Sequence, residues 1–131
     1  MAEATGTFTV SSWDESTYQE LAGAARLSRA SVAFTLAGDI TGEATWEALM
    51  CYRDDGGAEF TGLQRVQGSI GGVEGSFVLR ADGEYTAGEA RSHWQVVAGS
   101  GAGGLAGLTG SGKSVATATP PGTYTLEYEL G

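Results

Sequence analysis

Short segments in which apolar and polar residues alternate recur eight times along the chain, and they constrain the fold more than any other feature. In the clearest segment, Thr41–Arg53, Trp46, Met50 and Tyr52 fall on one face while Glu43 falls on the other. Alternation with a period of two residues is the signature of a half-buried strand. The sequence therefore predicts strands at Thr5–Trp13, Leu27–Leu36, Thr41–Arg53, Ala58–Ser69, Val73–Ala81, Glu89–Val97, Leu108–Ala118 and Thr123–Leu130.

Turn residues separate these segments, among them Gly71-Gly72, Asp82-Gly83, residues 54–57 and residues 120–122. Glycine and aspartate suit the tight turns that join neighbouring antiparallel strands. Eight strands in hairpin order predict an all-β fold, an eight-stranded antiparallel β-barrel that forms one domain over residues 1–131. Closure into a barrel removes exposed strand edges, and a two-sheet sandwich is the alternative.

One segment, residues 14–25, has an apolar pattern compatible with a helix. Asp14 would cap its N-terminus, and Tyr18 and Leu21 would lie on one face. Gly23 weakens the pattern because glycine destabilises helix interiors.

The charge balance is strongly acidic, with a formal net charge of −9 and a pI of about 4.3. Nucleic acids and anionic membranes reward clustered lysine and arginine, so neither is an expected partner. The first residues carry no basic flank and no apolar stretch, so we expect no membrane span and a cytoplasmic location.

Two glycine-rich stretches imitate nucleotide-binding motifs. Residues 107–114 match the phosphate-binding loop, ending in Lys113 and Ser114, and residues 99–104 spell the dinucleotide-binding pattern. Both motifs require a following helix whose N-terminus holds phosphate. The β-branched residues 115–119 and the prolines after them predict a strand instead. We therefore interpret both matches as chance and expect no cofactor.

A larger set of short motifs occurs in a fixed order along the chain. The motifs are Ser12–Glu15, Arg29–Ser31, Gly38–Ile40, Met50–Gly56, Gly62–Val66, Gly71–Leu79, Trp94–Val97, Gly99–Gly101, Leu105–Leu108 and Tyr124–Tyr128. Through these motifs the chain resembles bacterial proteins of about 130 residues, mostly of unassigned function, whose fold is similar to that of allene oxide cyclases. The resemblance implies a barrel with a central cavity, but no catalytic residue of the cyclases has a match here. Gln64 stands where family members commonly have Glu, and they commonly lack Lys113-Ser114.

The inward register supplies the candidate site residues. Polar tips that could hydrogen-bond a substrate oxygen belong to Tyr52, Tyr124 and Tyr128, and Glu43 would join them as a general acid if a bulge near Gly42 turned it inward. Without a bulge Glu43 faces solvent. The predicted ligand-binding residues are Trp46, Met50, Phe60, Gln64, Phe77 and Trp94.

The remaining reactive side chains give no site. His93 lies in the outward register, and Cys51, the only cysteine, is interpreted as a buried inert thiol. With one histidine and one cysteine in the chain, we expect no metal site.

These residues favour a cofactor-free barrel that binds a small hydrophobic molecule and catalyses its cyclisation or isomerisation. A carrier or sensor without chemistry and a structural barrel with a filled interior are the alternatives. Outward-facing apolar residues further predict a homo-oligomer, a dimer or trimer. These residues are Leu49, Leu63, Val78 and Val97.

Overall fold

The computed structural model describes residues 1–131 and consists of nine strands without a helix. The seventh strand is a two-residue pairing with β5, so the other eight strands build the wall. The strands are β1 (Ala2–Glu20), β2 (Arg26–Gly38), β3 (Ile40–Tyr52), β4 (Ala58–Ile70), β5 (Val73–Thr86), β6 (Glu89–Val96), β7 (Ala102–Gly103), β8 (Thr109–Thr117) and β9 (Gly122–Glu129).

The eight wall strands form a closed antiparallel barrel. Their order is β4-β3-β2-β1-β9-β8-β6-β5, and β5 pairs back onto β4. Hairpin order along the chain makes nearly every sequence neighbour a spatial neighbour, and β1 meets β9 to complete the ring. The predicted eight-stranded antiparallel barrel is confirmed, and the sandwich alternative is wrong.

The alternation in the sequence explains the core. In β2 the inward residues Ala30, Val32, Phe34 and Leu36 are buried. In β3 the inward residues are likewise buried, whereas Glu43 and its outward neighbours are exposed. Removing apolar side chains from water in this alternating way provides the main stabilisation of the barrel.

The segment predicted as a helix is strand and turn. β1 continues to Glu20, which pairs with Arg26 of β2, and Gly23 follows in a turn with a φ of 68°. A helix would have needed a core for its apolar face, yet Tyr18 and Leu21 are both exposed. Pairing with β2 satisfies the backbone of this segment instead.

The predicted hairpin turn at Asp82-Gly83 is also wrong. β5 runs through both residues, and the turn lies at Ala87-Gly88. The Asp82 carboxylate accepts a hydrogen bond from Thr61 Oγ1 at 2.6 Å, where the ladder between β4 and β5 is interrupted. Asp82 and Gly83 therefore lie within a strand, paired with β6, although their composition is typical of a turn.

Neither glycine-rich motif forms a nucleotide loop. Residues 109–114 lie in β8, and Lys113 is exposed opposite His93. Residues 97–108 form an irregular connection with no helix after it. The interpretation of both matches as chance is consistent with this backbone.

The two ends of the barrel differ. At the end where β1 begins, which we call the closed end, the connection between β6 and β8 places Leu105 and Leu108 in the core, 0% and 1% exposed. The other end, the open end, carries the β1–β2, β3–β4, β5–β6 and β8–β9 connections. The closed end is therefore plugged by the chain itself.

The outer wall carries some apolar surface. Leu49 and Leu63 are exposed, while Val78 and Val97 are half-buried. Homo-oligomer formation stays a prediction. No helix of the structure could cross a membrane.

Candidate functional site

A cavity of about 310 Å³ occupies the half of the barrel next to the open end. Fourteen of its 17 lining residues are hydrophobic, and none is charged. Three of them, Val10, Trp13 and Tyr85, are exposed and therefore mark the mouth. The lining residues are Phe8, Val10, Trp13, Phe34, Trp46, Met50, Tyr52, Ala58, Phe60, Gln64, Ala81, Tyr85, Ala90, Ser92, Trp94, Ser114 and Ala116.

Small residues create the space. On β8, Gly112 lies opposite Trp94, and Ala116 lies opposite Ala90. On β4, a Cβ at Gly62 would come within 2.7 Å of Trp46 Nε1, so only glycine leaves room for this indole. A strand poor in large side chains against strands rich in rings leaves the barrel partly unfilled.

Aromatic rings form the walls and the floor. The Trp46 and Phe60 rings meet edge to face with centroids 5.2 Å apart. Trp94 stacks on Tyr124 with centroids 5.5 Å apart and an angle of 18° between the planes. Because Tyr124 belongs to the closed end, this stack separates the cavity from the packed half of the barrel.

The wall is incomplete on one side of the mouth. Pairing between β1 and β9 ends at Phe8 and Gly122, and beyond that point β1 pairs only with β2. Val10 and Trp13 of β1 and Ala116 of β8 line the cavity on either side of this gap. We call it the notch, and it extends the mouth down the barrel wall.

A β-bulge directs side chains of β1 towards the mouth. The register with β2 shifts between Val10 and Ser12, so that Trp13 lies opposite the buried Val32 and Glu15 opposite the buried Ala30. One extra residue in a strand reverses the facing of every residue after it. Without the bulge, the residues at positions 13 and 15 would point outward.

Four polar side chains lie in the cavity wall, and two of them hold a buried atom without a protein partner. These atoms are Trp46 Nε1 and Ser92 Oγ. Gln64 and Ser114 line the same cavity and are 4% and 7% exposed. Trp46 is the cross-strand neighbour of Gln64, and Ser92 is that of Ser114. Native proteins rarely bury polar atoms without partners, so Trp46 Nε1 and Ser92 Oγ require an explanation.

A hydrogen-bonded cluster lies at the rim. The Glu15 carboxylate accepts hydrogen bonds from Ser28 Oγ, from Tyr52 Oη at 2.7 Å and from Trp13 Nε1 at 2.9 Å. The Arg26 guanidinium lies over the Tyr52 ring, 3.9 Å from its centroid. We refer to these five residues as the rim cluster.

The rim cluster shifts two pKa values in opposite directions. Burial raises the pKa of Glu15, but the hydrogen bonds from Ser28, Tyr52 and Trp13, with the charge of Arg26, outweigh it and the net pKa is lowered. Burial, together with the hydrogen bond to the negative Glu15, raises the pKa of Tyr52 to about 12. At neutral pH Glu15 is therefore charged and Tyr52 holds its proton.

The structure brings together most, but not all, of the predicted site residues. Those that line the cavity are Tyr52, Trp46, Met50, Phe60, Gln64 and Trp94. Phe77 and Tyr124 are buried in the packed half, and the half-buried Tyr128 packs against the same core. Glu43 is exposed on the outer face because the register of β3 with both neighbours is unbroken.

Tyr124 illustrates why an inward tyrosine need not be a site residue. Its hydroxyl accepts a hydrogen bond from the Ile40 amide at 2.9 Å and lies 2.8 Å from Ala37 O, which accepts its proton. Burial and the nearby Asp39 charge raise its pKa, against the Ile40 hydrogen bond. Tyr124 thus ties the β2–β3 turn to β9 and is unavailable to a ligand.

Sequence reasoning missed most of the rim cluster. Trp13, Glu15, Arg26 and Ser28 flank or lie within the segment interpreted as a helix, and the bulge at Ser11 reverses the facing of those on β1. Cys51 is half-buried on the outer face rather than buried. No cluster of His, Cys, Asp and Glu is arranged to hold a metal ion.

The fold and the cavity define a small β-barrel protein with an apolar cavity open at one end. Residues 4–128 match the family described as "Protein of unknown function (DUF3224)", and the chain belongs to that family. A crystal structure of a DUF3224 protein of unknown function from Shewanella oneidensis MR-1 is similar, with a TM-score of 0.85 and 28% identity over 100% of this chain and 98% of that one. No curated protein matches the chain. The predicted family of small proteins without assigned function is confirmed, and the resemblance to allene oxide cyclases stays a prediction.

Proposed function

We propose that the protein binds a small hydrophobic molecule in the cavity and releases it unchanged, as a carrier or sensor. The observation that carries this proposal is an apolar cavity with a few unpartnered polar groups in its wall. Small-molecule pockets have this composition, and at about 310 Å³ the cavity lies at the lower end of their usual range of about 300–1,000 Å³.

The unpartnered polar atoms support a bound molecule. Burying a hydrogen-bonding group without a partner costs about 1–3 kcal/mol. Trp46 Nε1 and Ser92 Oγ are both buried without a partner in the protein. A ligand with a polar atom of its own would satisfy one or more of these groups and recover part of that cost.

The rim cluster favours binding over proton-transfer chemistry. A general acid or base works best when its pKa lies near the ambient pH. The pKa of Glu15 is lowered and that of Tyr52 is raised to about 12, so both move away from neutrality. Neither group is therefore suited to exchange a proton with a ligand at pH 7.

Cofactor-free cyclisation or isomerisation is the second candidate. An apolar cavity can hold a flexible substrate in a reactive conformation, and confinement alone accelerates ring closure. Incubation with polyenes or epoxides that cyclise slowly in water, followed by product analysis, tests it. New products formed at a rate above that of the buffer would replace the carrier proposal with the cyclase.

Dye binding tests the proposal directly. We expect the neutral two-ring dye 6-propionyl-2-(dimethylamino)naphthalene to bind one molecule per barrel, with a rise in its fluorescence. Ala116→Phe would place a ring inside the cavity and abolish that rise. Val115→Phe is the matched control, because it adds the same ring to the outward face of the same strand. Wild-type protein without saturable binding, or equal loss in both variants, would contradict the proposal.

A further inference from the structure

The residues of the cavity wall limit the charge that a ligand can carry. None of its lining residues is Lys, Arg, Asp, Glu or His. An ion transferred there would lose its hydration without gaining a counter-charge, which is strongly unfavourable. The rim cluster carries both a negative charge on Glu15 and a positive charge on Arg26, whereas the whole chain carries a net charge of −9. The net charge opposes the entry of an anion in particular.

Size and shape narrow the ligand further. An apolar protein cavity of roughly 150 Å³ holds one benzene molecule. The present cavity is about 310 Å³, which corresponds to two rings. Its walls are the edge-to-face pair of Trp46 and Phe60 and the flat face of Trp94. Aromatic walls of this kind pack best against a flat ring system.

The polar groups indicate what the ligand must carry. Gln64 offers an amide donor and acceptor, Trp46 a donor only, and the Ser92 and Ser114 hydroxyls can both donate and accept. These groups form two cross-strand pairs, on β3–β4 and on β6–β8. Side chains directly opposite each other on paired strands lie about 4.5–5.5 Å apart at Cβ. Both members of a pair can therefore hydrogen-bond the same polar group of the ligand.

Resting on the proposed function, we propose that the cavity selects an uncharged, flat ligand of about two rings with one hydroxyl or carbonyl group. The ring system fills the space between Trp46, Phe60 and Trp94. The polar group points into the barrel and hydrogen-bonds Gln64 or the Ser92–Ser114 pair. Anionic analogues of the same shape are excluded.

Displacement of the bound dye by three matched compounds tests this selectivity. The compounds are 2-naphthol, naphthalene and 2-naphthoate, which share one ring system and differ in the polar group. We expect 2-naphthol to compete best and naphthalene about tenfold more weakly, as one hydrogen bond predicts. We expect 2-naphthoate to compete at least about a hundredfold more weakly, because it must bury an unpaired charge.

Variants locate the polar contact. Gln64→Leu and Ser114→Ala each remove one candidate partner, and circular dichroism checks that both fold. If either group binds the hydroxyl, its variant lowers the affinity for 2-naphthol about tenfold and leaves that for naphthalene unchanged. Ser111→Ala, on the outer face of β8, is the control and changes neither affinity.

The outcomes separate the two proposals. Equal competition by naphthalene and 2-naphthol, strong competition by 2-naphthoate, or unchanged selectivity in both cavity variants would overturn the ligand class while the dye still bound. Failure of all three compounds to displace a dye that Ala116→Phe excludes would also overturn it. Only the absence of saturable dye binding would overturn the proposed function as well.

Discussion

The closed and open halves of the barrel use the same strands but differ in how they fill the space between them. In the closed half, Leu105 and Leu108 plug the interior and the Tyr124 hydroxyl is fully hydrogen-bonded. In the open half, Trp46 Nε1 and Ser92 Oγ have no protein partner and the side chains surround a cavity. The comparison teaches that one continuous sheet can enclose a tightly packed core in one half and an apolar cavity in the other.

Replacing Trp94 with alanine should have the largest effect, because this side chain joins the two halves. It is 3% exposed and stacks on Tyr124, so Trp94→Ala should lower the free energy of unfolding by about 3–5 kcal/mol. Urea denaturation measures it. The control is Trp13→Ala, since the Trp13 side chain is 49% exposed. A larger loss of stability in Trp13→Ala than in Trp94→Ala would contradict the assignment of Trp94 to the core.

Tyr124→Phe should have the next largest effect, and it probes the closed half alone. Losing the hydroxyl strands the buried Ile40 amide, which should cost about 1–3 kcal/mol. Thermal unfolding of the variant checks this value. Tyr85→Phe at the mouth is the matched control and should change stability by less than about 0.5 kcal/mol. Equal effects of the two substitutions would remove the distinction between the halves.

The pH dependence of stability probes the open half through Glu15. Its pKa in the folded protein is below the ordinary 4.5, so its contribution is present above pH 4.5 and is lost as the pH falls through the lower folded value. Glu15→Gln should therefore flatten the stability profile below pH 4.5, measured by urea unfolding at each pH. Glu43→Gln, on the outer face, should keep the wild-type slope. If Glu15→Gln kept the wild-type profile, the hydrogen bonds of the rim cluster would not stabilise the charged form of Glu15.

Lys113→Ala should have the smallest effect. Lys113 is exposed on the outside of β8, so its loss should cost less than about 0.5 kcal/mol. We also expect no change in the melting temperature of the wild-type protein with ATP and Mg²⁺, measured by scanning calorimetry. A clear rise in melting temperature that Lys113→Ala abolished would restore the phosphate-binding interpretation of residues 107–114.

The sequence predicted the barrel because alternation and turn residues are local signals that agree with the sheet. It placed Trp46, Met50, Gln64 and Trp94 in the interior correctly, since each lies in a strand with an unbroken register. These positions needed no knowledge of distant contacts. The inward register therefore predicted these four residues of the cavity wall.

Two features of the structure could not be predicted from the sequence because they depend on contacts between distant segments. The bulge at Ser11 is defined only by the partner strand β2, so the inward facing of Trp13 and Glu15 could not be read from β1. The closed end depends on where Leu105 and Leu108 fold back, which alternation cannot show. Phe77, Tyr124 and Tyr128 were therefore assigned to a cavity that stops short of them.

The notch leaves one edge of β1 without a partner strand, so the backbone amides on that edge are open to water. From Val10 onwards β1 has β2 as its only partner, so the amides on its free edge should exchange with deuterium far faster than the amides of residues 2–8 that face β9. The pairs between β1 and β9 lie entirely in residues 2–8, so local opening of β1 beyond Val10 would leave the ladder of the closed half intact.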